Sequence, residues 1–298
     1  MLNAHSEISF TPETHFLRKH IANLKEHKLF QGGNYKSLKK EFHNDPDLNR
    51  LEIDITPLID KLDEVSSLID FYDLVLYSHL HSKGKKYIGD KDPKNLEHLS
   101  QINQIYPNAY IIHIIRDPRD VILSRLKAEW SSNRGKTIHS ITYHLQYNKA
   151  SSDGRKLFKN HYYEIHYEDL ITHPEKTLSC LCDFLGVRFE NNMLEFYQSS
   201  NEIIKGRETS WKKECFKPVK KDNLNKWKES FSSKETYLIE KICFSVFKDK
   251  TDKYQTSQNT VYLKTKIITF FIRICLPFTS YCYNLYHKIK NCLLKKYL

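Results

Sequence analysis

One stretch of the sequence, residues 109–130, combines a strand pattern, a break and a helix pattern. Residues 110–115 form a nearly continuous apolar run, which is typical of a strand buried on both faces of a parallel sheet. Asp117 followed by Pro118 is a helix-start signal, and apolar residues then return at helical spacing. The stretch therefore predicts a strand, a tight turn and a helix.

This arrangement places Arg116 at the carboxyl end of a strand, beside a helix N-terminus. Open α/β sheets bind ligands at that edge, and helix N-termini favour anions. Ser124 lies about two turns into the helix, so an extended Arg116 and the Ser124 hydroxyl could hold one phosphate between them. The alternative is that Arg116 pairs with Asp117 or Asp120 and that Ser124 faces solvent.

The remaining pattern alternates between helices and strands. Apolar residues at helical spacing indicate helices over residues 14–29, 58–80, 94–106 and 138–158. Short strands are indicated within residues 87–93 and 162–167. Alternation of this kind favours a parallel α/β sheet.

The composition limits the classes of ligand and the cellular compartment that we expect for this chain. A net charge of +11 suggests an anionic ligand, a nucleic acid or a membrane surface as partner. The basic residues are dispersed and no nucleic-acid motif is present, so we expect no nucleic-acid partner. Seven irregularly spaced cysteines indicate neither a disulfide framework nor a zinc site. Together with a polar N-terminus that does not look like a signal peptide, they predict a cytoplasmic protein.

Four segments, in this order, resemble the sulfotransferases that use 3′-phosphoadenosine 5′-phosphosulfate. They read YIGDKDPKNL, YPNAYIIHIIRDPRDVILS, YEIHYEDLITHPEKTLSCLCDFLGV and CFKPVKKDNLNKWKESFSSKE. The branch they resemble most comprises the tyrosylprotein and related bacterial sulfotransferases. The resemblance implies an α/β fold with a three-layer, P-loop-NTPase-like parallel sheet flanked by helices. It covers a sulfotransferase domain over residues 1–250, with a basic, apolar tail over residues 251–298.

The resemblance also implies roles for single residues. Glu13, in FTPETHFL, matches the catalytic carboxylate that acts as base for the acceptor hydroxyl. Lys91, in GDKDP, matches the lysine that steadies the oxygen leaving with the phosphate. Arg116 and Ser124 match the residues that hold the 3′-phosphate of the cofactor.

Two further positions match residues near the nucleotide, namely Tyr167 in HYEDL and Lys217 in FKPVKK. Each match has a structural alternative. Glu13 could be a helix-N-terminal glutamate stabilised by the helix dipole, and Tyr167 could serve packing alone. The basic neighbours of Lys217 leave open which lysine lies beside the cofactor, and Lys91 could be a surface lysine paired with a neighbouring aspartate.

Sulfuryl transfer needs an in-line acceptor, a base, and fixed positive charge on the leaving phosphate. In the family this requires no metal, and the sequence contains no convincing metal cluster. The expected partner is a hydroxyl-bearing acceptor, which could be a carbohydrate, a tyrosine side chain or a small metabolite.

One departure from the family concerns the N-terminus. The family begins with a strand and an Arg-Ser-Gly-Thr-Thr-like loop whose N–H groups hold the 5′-phosphosulfate. The segment MLNAHSEISFTPETHF resembles the part of the family that lies just downstream of that loop. We therefore expect the first strand and the phosphate loop to be missing, and sulfate transfer to be absent or weak. The alternative function is a non-catalytic remnant that binds phosphoadenosine or a partner.

The tail has no acidic residue after Asp252, and its apolar run is interrupted by Arg273 and Pro277. It therefore falls short of the ~20 apolar residues that a membrane span needs. Two interpretations of residues 261–298 stay open. The segment could lie on an anionic membrane as a peripheral contact, or it could form a pair of helices that covers the domain.

Overall fold

The strands of this protein pair in parallel. A computed structural model describes residues 1–128, 131, 133–204, 206, 209, 212–254, 256 and 262–297. The chain divides into two compact units. Unit 1 comprises residues 1–107, 174–219 and 291–298, and unit 2 comprises residues 108–173 and 220–290. Among the described residues, each unit contains one two-stranded parallel sheet.

In unit 1 the sheet consists of β1 (Ile8–Phe10) and β2 (Tyr87–Gly89), with Phe10 opposite Gly89. A π-helix (Leu17–Ile21) follows β1. The α-helices are α1 (Leu24–Gln31), α2 (Tyr35–His43), α3 (Thr56–Asp60), α4 (Leu68–Ser82), α5 (Leu99–Ile105) and α9 (Pro174–Leu185). The 3₁₀ turns are Leu2–Ala4, Leu48–Arg50, Asn95–Glu97, Asn191–Gln198, Ser200–Glu202 and Lys213–Phe216.

An aromatic cluster forms the core of unit 1. Phe16, Phe42 and Phe71 are fully buried, and the Phe16 ring stacks on Tyr72 with 4.7 Å between centroids. Burying such side chains contributes roughly 1.5–3 kcal/mol each. This cluster fixes the segment that leads from β1 into the π-helix, because Phe16 lies between the two.

In unit 2 the sheet consists of β3 (Ile111–Ile115) and β4 (Tyr162–His166), with Ile115 opposite His166. The helices are α6 (Pro118–Lys127), α7 (Lys136–Phe158), α8 (Tyr167–Thr172), α10 (Trp227–Ser230), α11 (Ser233–Ile242) and α12 (Phe244–Asp249). Helix α13 (Leu263–Leu294) belongs to unit 2 as far as residue 290. The 3₁₀ turns are Lys159–His161 and Lys221–Asn223.

The predicted strand, turn and helix are confirmed as β3 and α6. The Asp117 side chain accepts a hydrogen bond from the backbone N–H of Arg119 at 2.8 Å and caps α6, with Pro118 in the first turn. The prediction that β3 is buried on both faces is wrong, because Ile114 is 56% exposed. Ile115, on the other face, lies in the core of unit 2. Glu129 and Trp130, at the end of the predicted stretch, lie outside the described residues.

Three predicted helices are interrupted. The helix predicted over residues 94–106 begins as a 3₁₀ turn and is α-helical only over Leu99–Ile105. In the other two, a capping side chain starts a new helix. Instead of one helix over residues 14–29, the π-helix ends at Ile21, and Asn23 starts α1 by accepting the N–H of Lys25. Instead of one helix over residues 58–80, Ser67 starts α4 by accepting the N–H of Asp70 at 3.1 Å. In both places a capping side chain overrides a continuous apolar stripe, since it satisfies N–H groups that a new helix leaves unpaired.

The tail forms one continuous helix, α13, with Pro277 inside it. The predicted pair of helices is therefore wrong for the described part of the tail. In the part of the chain that the structure describes, no helix is both long and apolar enough to cross a membrane. The domain boundary at residue 250 stays a prediction.

Because His144 of α7 is buried, we expect acid to lower the free energy of unfolding of unit 2. Burial lowers the pKa of His144 from 6.5 to about 4. Between these values the unfolded chain binds a proton that the folded chain does not, so the free energy of unfolding falls as the pH drops from about 6.5 to about 4. Urea unfolding across this pH range should show a shallower fall for His144→Gln, and equal slopes would contradict the assignment. Part of the fall should remain, because burial also lowers the pKa of His113 to about 4.

Candidate active site

Glu13 and Lys91 follow the carboxyl ends of neighbouring parallel strands. Glu13 lies three residues after β1, and Lys91 lies two residues after β2. The register that places Phe10 opposite Gly89 brings the two following loops together. Helical structure begins only after His15, so the interpretation of Glu13 as a residue in the first turn of a helix is wrong.

The Glu13 carboxylate contacts two ammonium groups. Its Oε1 accepts hydrogen bonds from Lys91 Nζ and, at 2.7 Å, from Lys212 Nζ. The Glu13 side chain is almost buried, whereas the Lys91 side chain is 46% exposed. The structure thus brings a carboxylate and two cations to one point, and one of those cations remains accessible to a ligand.

Lys212 is the site residue that the sequence interpretation missed. The sequence interpretation assigned the nearby Lys217, which the structure places on the surface of unit 1, 3.9 Å from Glu214. Contact between Glu13 and Lys212 spans 199 positions of the chain. The basic composition of residues 212–221 was the available signal, and it does not single out one lysine.

The neighbouring aspartates have other partners, so the pairing of Lys91 with Asp90 or Asp92 is not what the structure shows. His15 Nδ1 donates to Asp92 at 2.8 Å, and Arg18 donates to it at 2.6 Å. Burial would raise the pKa of Asp92, but hydrogen bonds and the charges of His15 and Arg18 hold it below its ordinary value. Asp90 accepts from the Asn95 amide at 2.9 Å, and burial raises its pKa.

The backbone around Glu13 is irregular and anchored. His15 has φ 56°, the left-handed region that few non-glycine residues adopt. Arg50 donates to the Glu13 carbonyl oxygen at 2.6 Å and to Asp47 at 2.5 Å. A short π-helix follows, a form often found at functional sites. These contacts fix the direction in which the Glu13 side chain leaves the backbone.

In unit 2, Arg116 and Tyr167 form a second cluster. Arg116 directly follows β3, and Tyr167 directly follows β4. Because Ile115 and His166 are paired, the next residues emerge side by side at the carboxyl edge of the sheet. The Arg116 guanidinium lies over the Tyr167 ring, 4.4 Å from its centroid. The Tyr167 ring thus contacts the Arg116 cation in a cation–π arrangement.

Further contacts hold Arg116 without neutralising it fully. Its Nη2 donates to the Asn223 carbonyl oxygen at 2.6 Å and lies 3.7 Å from the Asp120 carboxylate. Its buried Nε has no hydrogen-bond partner among the described residues. Asp120 also accepts backbone N–H groups of Asn225 and Trp227, at 2.9 and 3.0 Å. The predicted alternative, in which Arg116 pairs with Asp117 or Asp120 and Ser124 faces solvent, is correct for the long Asp120 contact and for the exposed Ser124. Asp117 pairs with Arg119 instead.

Ser124 lies on an exposed position of α6 and makes no side-chain hydrogen bond within the described chain. The structure does not join it to Arg116 directly. The predicted phosphate site therefore requires Arg116 and Ser124 to bind oxygens of the same ligand.

Among the described residues, His20, Glu26 and Glu41 of unit 1 lie close enough together to hold a metal. Both ring nitrogens of His20 are already engaged, with Glu26 at 2.5 Å and with Asp45 at 3.1 Å. Burial would lower the pKa of His20, but these two carboxylates raise it. His20, Glu26 and Asp45 thus form a buried ion network, whereas Glu41 is exposed, and we assign no metal to the group.

Comparison with known proteins identifies the family. The family model named Sulfotransferase family matches residues 1–191 of the 298-residue chain. Protein-tyrosine sulfotransferase 1 of Danio rerio is 24% identical over 184 residues, which cover 56% of this chain and 50% of that protein. Protein-tyrosine sulfotransferase 2 of Gallus gallus is 22% identical over 160 residues, which cover 49% of this chain and 42% of that protein. The chain thus spans half or less of these relatives.

Solved structures agree in fold. The sulfotransferase domain of the Synechococcus PCC 7002 olefin synthase matches with a TM-score of 0.56 and 18% identity, covering 91% of this chain and 87% of that one. The sulfotransferase domain from the curacin biosynthetic pathway matches with a TM-score of 0.50 and 18% identity. The family match includes Glu13, Lys91, Arg116, Ser124 and Tyr167. The chain belongs to the sulfotransferase family.

Proposed function

We propose that this protein transfers a sulfuryl group from 3′-phosphoadenosine 5′-phosphosulfate to a hydroxyl acceptor. The observation that carries the proposal is the convergence of Glu13, Lys91 and Lys212 beside two parallel strand ends. A carboxylate next to an accessible ammonium group supplies the base and the positive charge that sulfuryl transfer needs.

The proposed step is one in-line displacement. The acceptor oxygen forms a bond to sulfur while the bond from sulfur to the bridging phosphate oxygen breaks. The electron pair of that bond remains on the phosphate, where Lys91 stabilises it, and Glu13 takes the acceptor proton. The products are a sulfate ester and 3′-phosphoadenosine 5′-phosphate. Lys212 would keep Glu13 oriented while Lys91 turns towards the donor.

We assign donor binding to residues of unit 2 and to the basic segment around Lys217, which is the last of the four family-like segments. Arg116 and Ser124 would hold the 3′-phosphate, and Tyr167 would orient Arg116 through the ring contact described above. The buried, unpartnered Arg116 Nε supports this role, because an anion offers the acceptor that the described part of the fold does not. Lys217 is proposed as a further cofactor contact.

The acceptor class comes from the relatives. The two vertebrate relatives act on protein tyrosines by their names, so a tyrosyl phenol is the acceptor to test before a carbohydrate or a small metabolite. A phenol has an ordinary pKa of about 10, so a base adjacent to it accelerates its attack at neutral pH.

Two further parts of this proposal concern the fold and the compartment. We propose that the sheets belong to a three-layer, P-loop-NTPase-like arrangement and that the protein works in the reducing cytoplasm.

Replacing Arg116 by Ala is expected to weaken binding of 3′-phosphoadenosine 5′-phosphate by roughly 10- to 100-fold. The reason is that hydrogen bonds to charged groups contribute about 1.5–3 kcal/mol each. Calorimetric titration of the 298-residue chain measures this.

Arg155→Ala is the matched control, since Arg155 is an exposed arginine of unit 2 that pairs with Glu164 at 2.8 Å. It should bind as the unchanged chain does. Equal loss in both variants would remove Arg116 from the site. If the unchanged chain neither binds this nucleotide nor transfers sulfate, the proposed function is contradicted.

A further inference from the structure

Helix α13 has an inner face and an exposed face. Thr269, Leu276 and His287 are buried, and they lie on one side of the helix at spacings of seven and eleven residues. At about 100° per residue these positions cluster within a narrow arc. They mark the side that packs against the protein.

The opposite side is apolar although it faces solvent. Six large side chains there are between 56% and 70% exposed, namely Phe270, Phe271, Ile274, Phe278, Tyr281 and Tyr286. By the same count they fall within an arc of about 160° centred opposite the buried residues. A surface helix of a globular protein normally has the reverse distribution, with its polar side outward. A continuous exposed apolar face of this kind marks an interaction surface.

The charge of the helix is of one sign. No acidic residue follows Asp252 in the sequence. Lys266, Arg273 and Lys288 lie along one margin of the apolar face, within an arc of about 60°. Long cationic side chains at such a margin can extend towards lipid phosphates while their stems cover apolar surface.

A cationic cavity opens beside this face, between α11 and α13. Its volume is about 610 Å³, and its lining includes Tyr237, Lys241, Lys266, Phe270 and Arg273. In the described part of the chain, none of its three cations pairs with a carboxylate. Arg273 instead lies over Phe244 at 5.0 Å, and Lys241 lies over Tyr237 at 5.3 Å. The cavity suits an anionic head group held at the edge of an apolar surface.

We propose that α13 binds the surface of an anionic lipid bilayer, with its aromatic face in the head-group region and the cavity on a lipid phosphate. An apolar face with a basic margin is the composition of interfacial helices, and anionic lipids supply the opposite charge. A second copy of this chain is a poorer occupant, because it would bring like-charged margins together. The proposal is independent of the sulfuryl-transfer chemistry.

Flotation of the full chain with vesicles tests the proposal. The protein should float with vesicles that contain phosphatidylserine and remain below with vesicles of phosphatidylcholine alone. The double variant Phe271→Glu, Phe278→Glu should lose binding by about tenfold or more, because two large apolar contacts are replaced by anions. The double variant Lys266→Glu, Arg273→Glu should lose the preference for anionic vesicles.

Tyr77→Glu is the matched control, because Tyr77 is an aromatic residue of α4 that is equally exposed. It should float as the unchanged chain does. Circular dichroism of every variant separates loss of binding from loss of folding. Failure of the unchanged chain to float with anionic vesicles overturns the proposal, and so does full flotation of the Phe271 and Phe278 variant. A dimer that this variant abolishes, without vesicle binding by the unchanged chain, would assign the face to a second copy.

Discussion

Replacing Glu13 by Gln is expected to lower the rate of sulfuryl transfer by about 10²- to 10⁴-fold. Glutamine keeps the shape of the side chain but cannot take the acceptor proton. Because Lys91 and Lys212 both donate to Glu13, the variant also loses the charge that orients these two ammonium groups. A single-turnover assay with labelled donor and a tyrosine-containing peptide measures the ratio of rates. Because the assay compares the rates of two variants, it does not require the unchanged chain to be fast.

Two controls separate chemistry from binding and folding. Glu41→Gln makes the same change at an exposed position of α2 and should leave the rate unchanged. Titration with 3′-phosphoadenosine 5′-phosphate should give the same affinity for Glu13→Gln as for the unchanged chain. The rise in rate that deprotonation of a base produces on the acid side of the pH profile should vanish in Glu13→Gln. A rate within about threefold of the unchanged chain would remove Glu13 from the role of base.

Local signals in the sequence were sufficient where one short segment decides the structure. Asp117 and Pro118 predict the start of α6, and both residues act within two positions of the helix terminus. The same signals existed at Asn23 and Ser67, where caps start α1 and α4. There the continuous apolar stripe predicts one long helix, whereas in the structure the capping side chain divides it.

Contacts between distant segments could not be predicted from local pattern. The apolar run of β3 identifies a strand, but it carries no information on which face is covered, so the exposure of Ile114 was missed. Lys212 reaches Glu13 across 199 positions, and only the folded chain selects it among its basic neighbours. The pairing of Arg116 with Tyr167 follows from the register of β3 on β4, which the sequence does not state.

A buried ion network supports the segment that carries Arg116. Arg119, three residues further on, is 4% exposed. It donates to Asp117 at 2.6 Å and to Glu240 at 2.7 Å, and it lies 3.9 Å above the Trp227 ring. Burial would lower the pKa of Arg119, but the hydrogen bonds and charges of Asp117 and Glu240 raise it. One cation therefore links the cap of α6 to α11 and α10.

Replacing Arg119 by Ala is expected to lower the free energy of unfolding of unit 2 by about 3–5 kcal/mol, because it leaves two buried carboxylates without their shared cation. Urea unfolding followed by tryptophan fluorescence and circular dichroism measures the loss. Arg155→Ala, which breaks an ion pair whose arginine side chain is 54% exposed, should cost about 1 kcal/mol or less. Equal losses in the two variants would mean that the Arg119 network contributes no more to stability than an exposed ion pair does. In that case Arg116 would depend for its position on its own contacts with Asn223 and Tyr167.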